Sequence, residues 1–393
     1  MFAIVWFPAL ICLCAGYLFM SAAPLSTQFM PLFGVGYAGL SLFLSGLLWA
    51  HSFVQLPAGL LLDRIGAYKG FLIAILLAFT ANILPFIAPS NITLATGLRF
   101  IAGLSSGSLF LIGVKMIGMQ APPHLVAQAQ GIQGAAFCLG TMLPFVTLPH
   151  FGEGAWRFAY LIPAAFALVT IALSRLLPKK VRASGASSGG GGASQLFHAI
   201  KTVSTSSPIW TLGIFHGFSY GTLNNLGQWL PSILADMHEY TAASAWSLAT
   251  GAVLLVGTFS RASGSTLLKW FSKNAVISIS VLLIGILYIA LGLTGNVYIG
   301  LAVGFGLAIL GGCNYGSIFS MTGNIMQPMY LATAAGFMNM IANIANVLLT
   351  IILGTVREYT GSFSAALIAA GITALTIWLA GYRIIRRIQE NTH

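Results

Sequence analysis

Acidic residues are almost missing from this sequence. Asp63, Glu153, Asp236, Glu239, Glu358 and Glu390 are its only carboxylates in 393 residues, and none lies in the middle of an apolar run. That absence removes the buried acid that proton-coupled carriers and binders of cationic drugs commonly use. Charged residues of every kind make up 6% of the chain, against about 25% in a soluble domain. A chain that is 58% hydrophobic cannot hide its apolar surface from water, so lipid is its solvent. Cysteine is scarce too. Cys12, Cys14, Cys138 and Cys313 fall inside apolar runs without metal-ligand spacing, and read as small hydrophobes rather than disulfide partners or zinc ligands. No buried Ser/His, His/Glu or paired-acid set supports an intramembrane enzyme, no soluble stretch is long enough to signal, and neither cofactor nor metal is implied.

What the sequence does have is long apolar runs. With no water to satisfy backbone groups, spanning elements are helices or a closed barrel. Runs of roughly 20 residues, rather than alternating tens, select helices. The expectation is an all-α membrane protein with twelve spans, near 4–27, 38–61, 70–88, 93–119, 127–149, 157–177, 208–232, 243–261, 273–294, 297–321, 331–355 and 363–383. The first run is too long for a signal peptide and stays as helix one.

The net charge of +11 is not spread evenly. With the amino terminus in the cytoplasm, Arg64, Lys69, Arg175, Lys179, Lys180, Arg182, Lys201, Arg261, Lys269, Lys273, Arg383, Arg386 and Arg387 fall inside. Arg157 and Arg357 fall outside, together with Glu153, Asp236, Glu239 and Glu358. This positive-inside pattern predicts cytoplasmic termini and a plasma-membrane location, the inner membrane in a Gram-negative cell. It also argues against nucleic acid as partner of the positive charge. The expected partners are the bilayer and a small molecule, with the chain working as a monomer.

The chain divides near its midpoint. Residues 1–182 read as one six-helix bundle, 183–207 as a flexible cytoplasmic linker around the run Ala183-Ser-Gly-Ala-Ser-Ser-Gly-Gly-Gly-Gly-Ala-Ser194, and 208–393 as a second bundle. The halves carry a trace of repetition. Gly257-Thr-Phe-Ser-Arg261-Ala-Ser-Gly264 after span eight has the spacing of Gly59-Leu-Leu-Leu-Asp63-Arg64-Ile-Gly66 after span two, with a base replacing the acid.

That second stretch, continued by Ala67-Tyr68-Lys69, resembles the loop between the second and third helices of the major facilitator superfamily (MFS) of secondary transporters. Family members usually place basic residues directly after the second glycine; here Ala67 and Tyr68 stand there. Arg99-Phe-Ile-Ala102-Gly103 is similar to the fourth-helix motif, with Ala102 in place of glutamine, and Gly154-Ala-Trp156-Arg157-Phe158 to the entry of the sixth helix. Gly131 and Gly140 match the start of the drug-exporter antiporter motif, which then breaks at Pro144-Phe145. The nitrate branch has buried arginines in its second and eighth helices; this chain has His51 and Gln55 in span two, and Arg261 at the end of span eight. The charged first-helix motif of the peptide branch is missing.

The resemblance implies transport by alternating access, two halves rocking around a midplane site, with Gly59, Asp63, Arg64, Gly66 and Lys115 in gating or conformational roles. Polar side chains inside the spans mark the expected path. His216, Tyr220, Asn224 and Gln228 recur every four residues and so share one face of span seven. Asn314, Ser317 and Asn324 recur in span ten, and Tyr17, Ser21 and Gln28 in span one, which Pro24 bends. Asn339, Asn343 and Asn346 in span eleven are read as packing contacts. Arg99 lies deep in the outer half of span four, poised either to hold an anion or to bond helix carbonyls. Lys115 snorkels at the other end. The substrate-binding candidates are therefore Tyr17, Gln28, His51, Gln55, Arg99, His216, Tyr220, Asn224, Gln228 and Asn314. The reading is a carrier of a small polar metabolite, preferably an organic anion or zwitterion. The alternatives are an exporter of hydrophobic compounds and, further off, a transporter-derived receptor or intramembrane enzyme.

Overall fold

The computed structural model describes residues 2–182, 193–238, 243–322, 324–327 and 330–390, and every regular element among them is helical. The chain forms two units, Met1–Gly190 and Gly191–His393. Unit 1 holds α1 (Phe7–Met20), α2 (Ser26–Phe33), α3 (Tyr37–Ile65), α4 (Ala67–Ile83), α5 (Ile92–Gln120), α6 (Pro123–Thr147), α7 (Ala155–Ser174) and the short α8 (Lys179–Arg182). Unit 2 holds α9 (Ala193–Ser204), α10 (Ser207–Met237), α11 (Ser247–Ser263), α12 (Lys273–Leu293), α13 (Val297–Cys313), α14 (Tyr315–Thr322), α15 (Leu331–Thr360) and α16 (Ser364–Glu390).

Among the described residues, nine helical stretches are long and apolar enough to cross a membrane, and one of them, Ala129–Ser174, runs through both α6 and α7. Neither α10 nor α11 is among the nine. The 17 residues of α11 extend only about 25 Å. In α10 the polar side chains His216, Ser219, Thr222, Asn224, Asn225, Gln228 and Ser232 dilute the hydrophobicity, and all are buried. Its polarity faces protein rather than lipid.

Helix pairing follows the same order in both units. In unit 1, α1 packs on α6, α3 on α5 and α4 on α7. In unit 2, α10 packs on α15, α11 on α13 and α12 on α16. The faint repeat in the sequence thus corresponds to a repeated packing plan. Lipid gives helices no hydrophobic reason to associate, so close backbone approach over small residues does the work. A side chain at Gly16 would strike the carbonyl of Phe137, and one at Gly140 that of Leu13, which is how α1 and α6 touch. Gly103 meets the Leu47 carbonyl where α5 crosses α3, and Gly371 meets the Gly285 carbonyl between α16 and α12.

Three expectations change. Span one is not a single helix: α1 ends at Met20, a 3-10 turn covers Ala23–Leu25, and α2 begins at Ser26. Pro24 has no N–H to continue the ladder. The stretch 62–69 left between the predicted spans two and three is not a loop either. Helix α3 continues through Gly59 to Ile65 and α4 starts at Ala67, leaving Gly66 alone between them at φ +85°. Its counterpart Gly264 has φ −57° and is small for another reason, direct contact with the Cys313 backbone. Equal spacing hides two different requirements. Lastly, the expected linker 183–207 contains α9, whose Ala199 and Val203 bury their side chains at helical spacing, Val203 in the core with Leu212 and Met338. The Gly/Ser run 183–192 lies outside the described residues.

Replacing Gly140 by valine is expected to cost about 1–3 kcal/mol by forcing α1 off α6. Gly131→Ala in the same helix, where an added methyl meets open space, should be neutral or slightly stabilising. Thermal unfolding of the two purified variants checks this; equal melting temperatures would contradict the close-approach account.

Candidate functional site

In unit 1, Arg99 near the start of α5 is only 3% exposed. Its Nη1 donates to the Leu18 carbonyl at 3.4 Å and to the Ser21 hydroxyl at 3.5 Å, and its Cζ lies 5.5 Å from the Phe43 ring centroid. Tyr160 is within electrostatic reach. The cation therefore sits against the carboxyl end of α1, where unpaired carbonyls favour positive charge. Among the described residues no carboxylate faces it. Lys115 is half-buried toward the other end of α5, sixteen residues away or about 24 Å along the axis.

The other unit 1 candidates are largely engaged with their neighbours. The Tyr17 hydroxyl pairs with Thr147 Oγ1 at 2.8 Å, and the ring stands edge-on to Phe166. Gln28 bridges the entry to α7, donating to the Gly152 carbonyl at 2.8 Å and accepting from the Trp156 N–H at 3.2 Å. His51 is buried against Phe19 and Phe137, and its Nδ1 lacks a hydrogen-bond partner. Gln55, one turn on, is half-buried. Of the gating candidates, Gly59 is mid-helix in open space and Arg64 is exposed. The side chain of Asp63 lies outside the described residues.

Unit 2 gathers more chemistry. The face of α10 predicted to carry His216, Tyr220, Asn224 and Gln228 is there, with His216 and Gln228 fully buried and Tyr220 partly exposed. His216 Nε2 lies 3.1 Å from Asn339 Oδ1 on α15. Around its ring stand Phe319 at 5.1 Å and Tyr220 and Tyr315 each at 5.7 Å, measured between centroids. Arg261, near the end of α11, lays its guanidinium on Tyr315 with Cζ 3.6 Å from the ring centroid, and it acts electrostatically on His216.

Local structure explains how these side chains meet. The span predicted over 297–321 is interrupted at Asn314, whose Nδ2 donates to Ser219 Oγ on α10 at 2.7 Å, so that α14 starts with Tyr315. Gly312, just before the break, lets α13 approach the backbone at Gly257 and Arg261. Four helices, α10, α11, α14 and α15, thus converge on one cation bordered by aromatic rings and a histidine. Stacking on Tyr315 occupies the guanidinium's face. Its in-plane N–H groups are the edge that a carboxylate or another planar oxyanion takes bidentately. Among the described residues of unit 2, Asp236 is committed elsewhere, in a two-pronged ion pair with Arg357 at 2.6 and 3.0 Å.

Sequence reasoning missed Arg261, Tyr315, Phe319 and Asn339 as parts of this cluster. The linear pattern marks Arg261 as an inner-end charge and Asn339 as packing. The available signal was the arginine that ends the eighth span, one helix in which the nitrate branch carries a buried arginine. The second polar group on α15 does behave as packing. Asn225 Nδ2 donates to Asn346 Oδ1 at 2.7 Å, and Thr350 Oγ1 donates to Asn225 Oδ1 at 3.0 Å, all fully buried.

The helical architecture and its lipid-compatible composition define a multi-pass membrane protein. Comparison with known proteins makes the class specific. The profile of the Major Facilitator Superfamily matches residues 5–350, and the chain belongs to that family of transporters. It is 26% identical over 345 residues to the nitrite extrusion protein of Bacillus subtilis (strain 168), covering 84% of this chain and 82% of that protein. Among solved structures it resembles a bacterial homolog of the human lysosomal transporter Spinster (TM-score 0.77, 14% identity, 98% of this chain and 96% of the other). It also resembles a D-xylose-proton symporter (TM-score 0.77, 15% identity, 96% and 97%). At these identities the structural matches define the fold and leave the substrate open.

Removing Asn225 from the α10–α15 network strands the buried Asn346 Oδ1, while Thr350 keeps its bond to the Asn346 carbonyl, so Asn225→Leu should lower stability by about 1–3 kcal/mol. Combining Asn225→Leu with Asn346→Leu and Thr350→Val replaces the whole network by apolar groups and should recover part of that loss. Unfolding curves in detergent decide it, and an unchanged single variant would remove the network from the account.

Proposed function

We propose that this transporter carries a small anion, or a zwitterion bound through its anionic group, by alternating access. The observation that carries the proposal is Arg261 stacked on Tyr315 beside His216, a cation set in a ring of aromatic and amide groups. Such a site favours a planar oxyanion over a cation by charge and over a neutral sugar by its bidentate edge. The similarity to a nitrite extrusion protein supports the same substrate class. His216, Tyr220, Asn224, Gln228 and Asn314 are assigned to the binding wall, with Arg261, Tyr315 and Asn339 added. Arg99 is assigned to holding α1 against α5, since its donors already face α1 groups.

The topology in this proposal is twelve spans with both termini cytoplasmic, in the plasma membrane. The support is the gathering of basic residues at one set of loops. The lack of a carboxylate inside any apolar run disfavours coupling through a buried acid.

Ligand binding to the folded state raises apparent stability. A thermal-unfolding panel of nitrite, nitrate, small carboxylates, amino acids, sugars and organic cations should therefore show stabilisation by members of the anionic set. Arg261→Gln should weaken that binding by about 2–5 kcal/mol if the pair is desolvated, and Arg261→Lys by less for a simple point contact. Stabilisation by sugars or cations alone, or an unchanged anion response in Arg261→Gln, would overturn the proposal.

A further inference from the structure

The structure of unit 2 holds a cavity that the transport site does not use. It lies between the start of α12 and the end of α16 and has a volume of about 600 Å³. Its polar part is formed by Ser272, Asn274, Ser278, Trp378 and Tyr382. The Trp378 indole N–H donates to Ser278 Oγ at 2.7 Å, and the Asn274 Oδ1 is buried with no hydrogen-bond partner. Farther along α12 the lining turns apolar at Ile279 and Leu282. From Ser272 to Leu282 is ten residues, about 15 Å along the helix. The polar lining groups thus lie toward the mouth, beside Ala275 and Ile385, and the floor along α12 is apolar, over the length of a headgroup, a glycerol unit and the first part of an acyl chain.

Basic residues flank the mouth. Lys273 sits between two lining residues, Arg383 follows the lining Tyr382, and Lys269 precedes them on the adjoining turn. Trp270 and Phe271 are 72% and 52% exposed there, the aromatic signature of a bilayer interface. A second cavity of similar size lies at the opposite ends of the same two helices, and there the lining includes Asp236. The second cavity has Asp236 with its partner Arg357 at its edge, whereas Lys273 and Arg383 flank the first, which makes the first the one suited to an anionic amphiphile.

We infer that the groove between α12 and α16 binds an anionic glycerophospholipid, its phosphate against Lys273 and Arg383 and its chain along Ile279 and Leu282. The amphipathic grading and the charge complementarity together select this occupant. A zwitterionic lipid shares the apolar floor but carries a compensating charge at the basic rim. The site is separate from Arg261, so lipid binding does not depend on the substrate assignment.

Native mass spectrometry of the full-length protein in detergent tests this, titrating phosphatidylglycerol, phosphatidylcholine of the same acyl chains, and inorganic phosphate. Wild type should retain phosphatidylglycerol in preference to phosphatidylcholine. The double variant K273Q/R383Q should bind phosphatidylglycerol roughly thirtyfold more weakly, as expected for losing two cations near a lipid surface. Ala275→Phe, which fills the cavity and leaves both charges in place, should also lose the retained lipid. Equal retention of the two lipids, wild-type affinity in the charge variant, or wild-type affinity in Ala275→Phe would overturn the assignment. Complete displacement by inorganic phosphate would do so as well, by reducing the site to a free-anion contact.

Discussion

Hydrocarbon supplies no hydrogen bonds and no hydrophobic driving force between helices, and the architecture follows from those two deficits. Backbone groups are satisfied within helices, and helices associate where glycine lets one backbone meet another. The Gly16–Gly140 contact and the Gly285–Gly371 contact are instances in the two units. Polar side chains then need partners inside protein. Asn225, Asn346 and Thr350 find them in one another, and Gln133 finds them in the Phe110 carbonyl and Cys12. His216 and Arg261 gather with Asn339, Tyr315 and Phe319 at the helix break before α14, the group assigned to the ligand in the proposed function.

Much of this was legible in the residues. Continuous apolar runs and scarce charge gave the helical membrane class, and a four-residue recurrence of polar groups gave the face of α10. Spacing alone could not separate Gly66, which needs a positive φ, from Gly264, which needs backbone contact. Composition suggested a coil through 183–207, yet Ala199 and Val203 bury their side chains and fold their stretch into α9. Such outcomes depend on tertiary neighbours that a linear pattern does not contain.

Arg99 and Arg261 show the same limit more sharply. Arg99 looked like the deep anion partner because it stands inside an apolar run, while Arg261 looked like a surface charge because it ends one. The proposed function reverses that ranking on the neighbours each one has. Arg99 lies against the Leu18 carbonyl and Ser21, whereas Arg261 lies across Tyr315 with His216 nearby. Depth in a sequence run measured distance from water, and the chemistry depended instead on which groups each guanidinium met.

Counterflow in proteoliposomes tests that central claim most directly. Vesicles containing the full chain are loaded with an excess of the unlabelled anion that stabilises it best, and entry of labelled anion is followed. The account predicts transient accumulation in wild type and in Arg99→Gln, compared at equal reconstitution of monodisperse protein, and its loss in Arg261→Gln. Wild-type counterflow in Arg261→Gln would contradict it, most plainly if Arg99→Gln were the inactive variant.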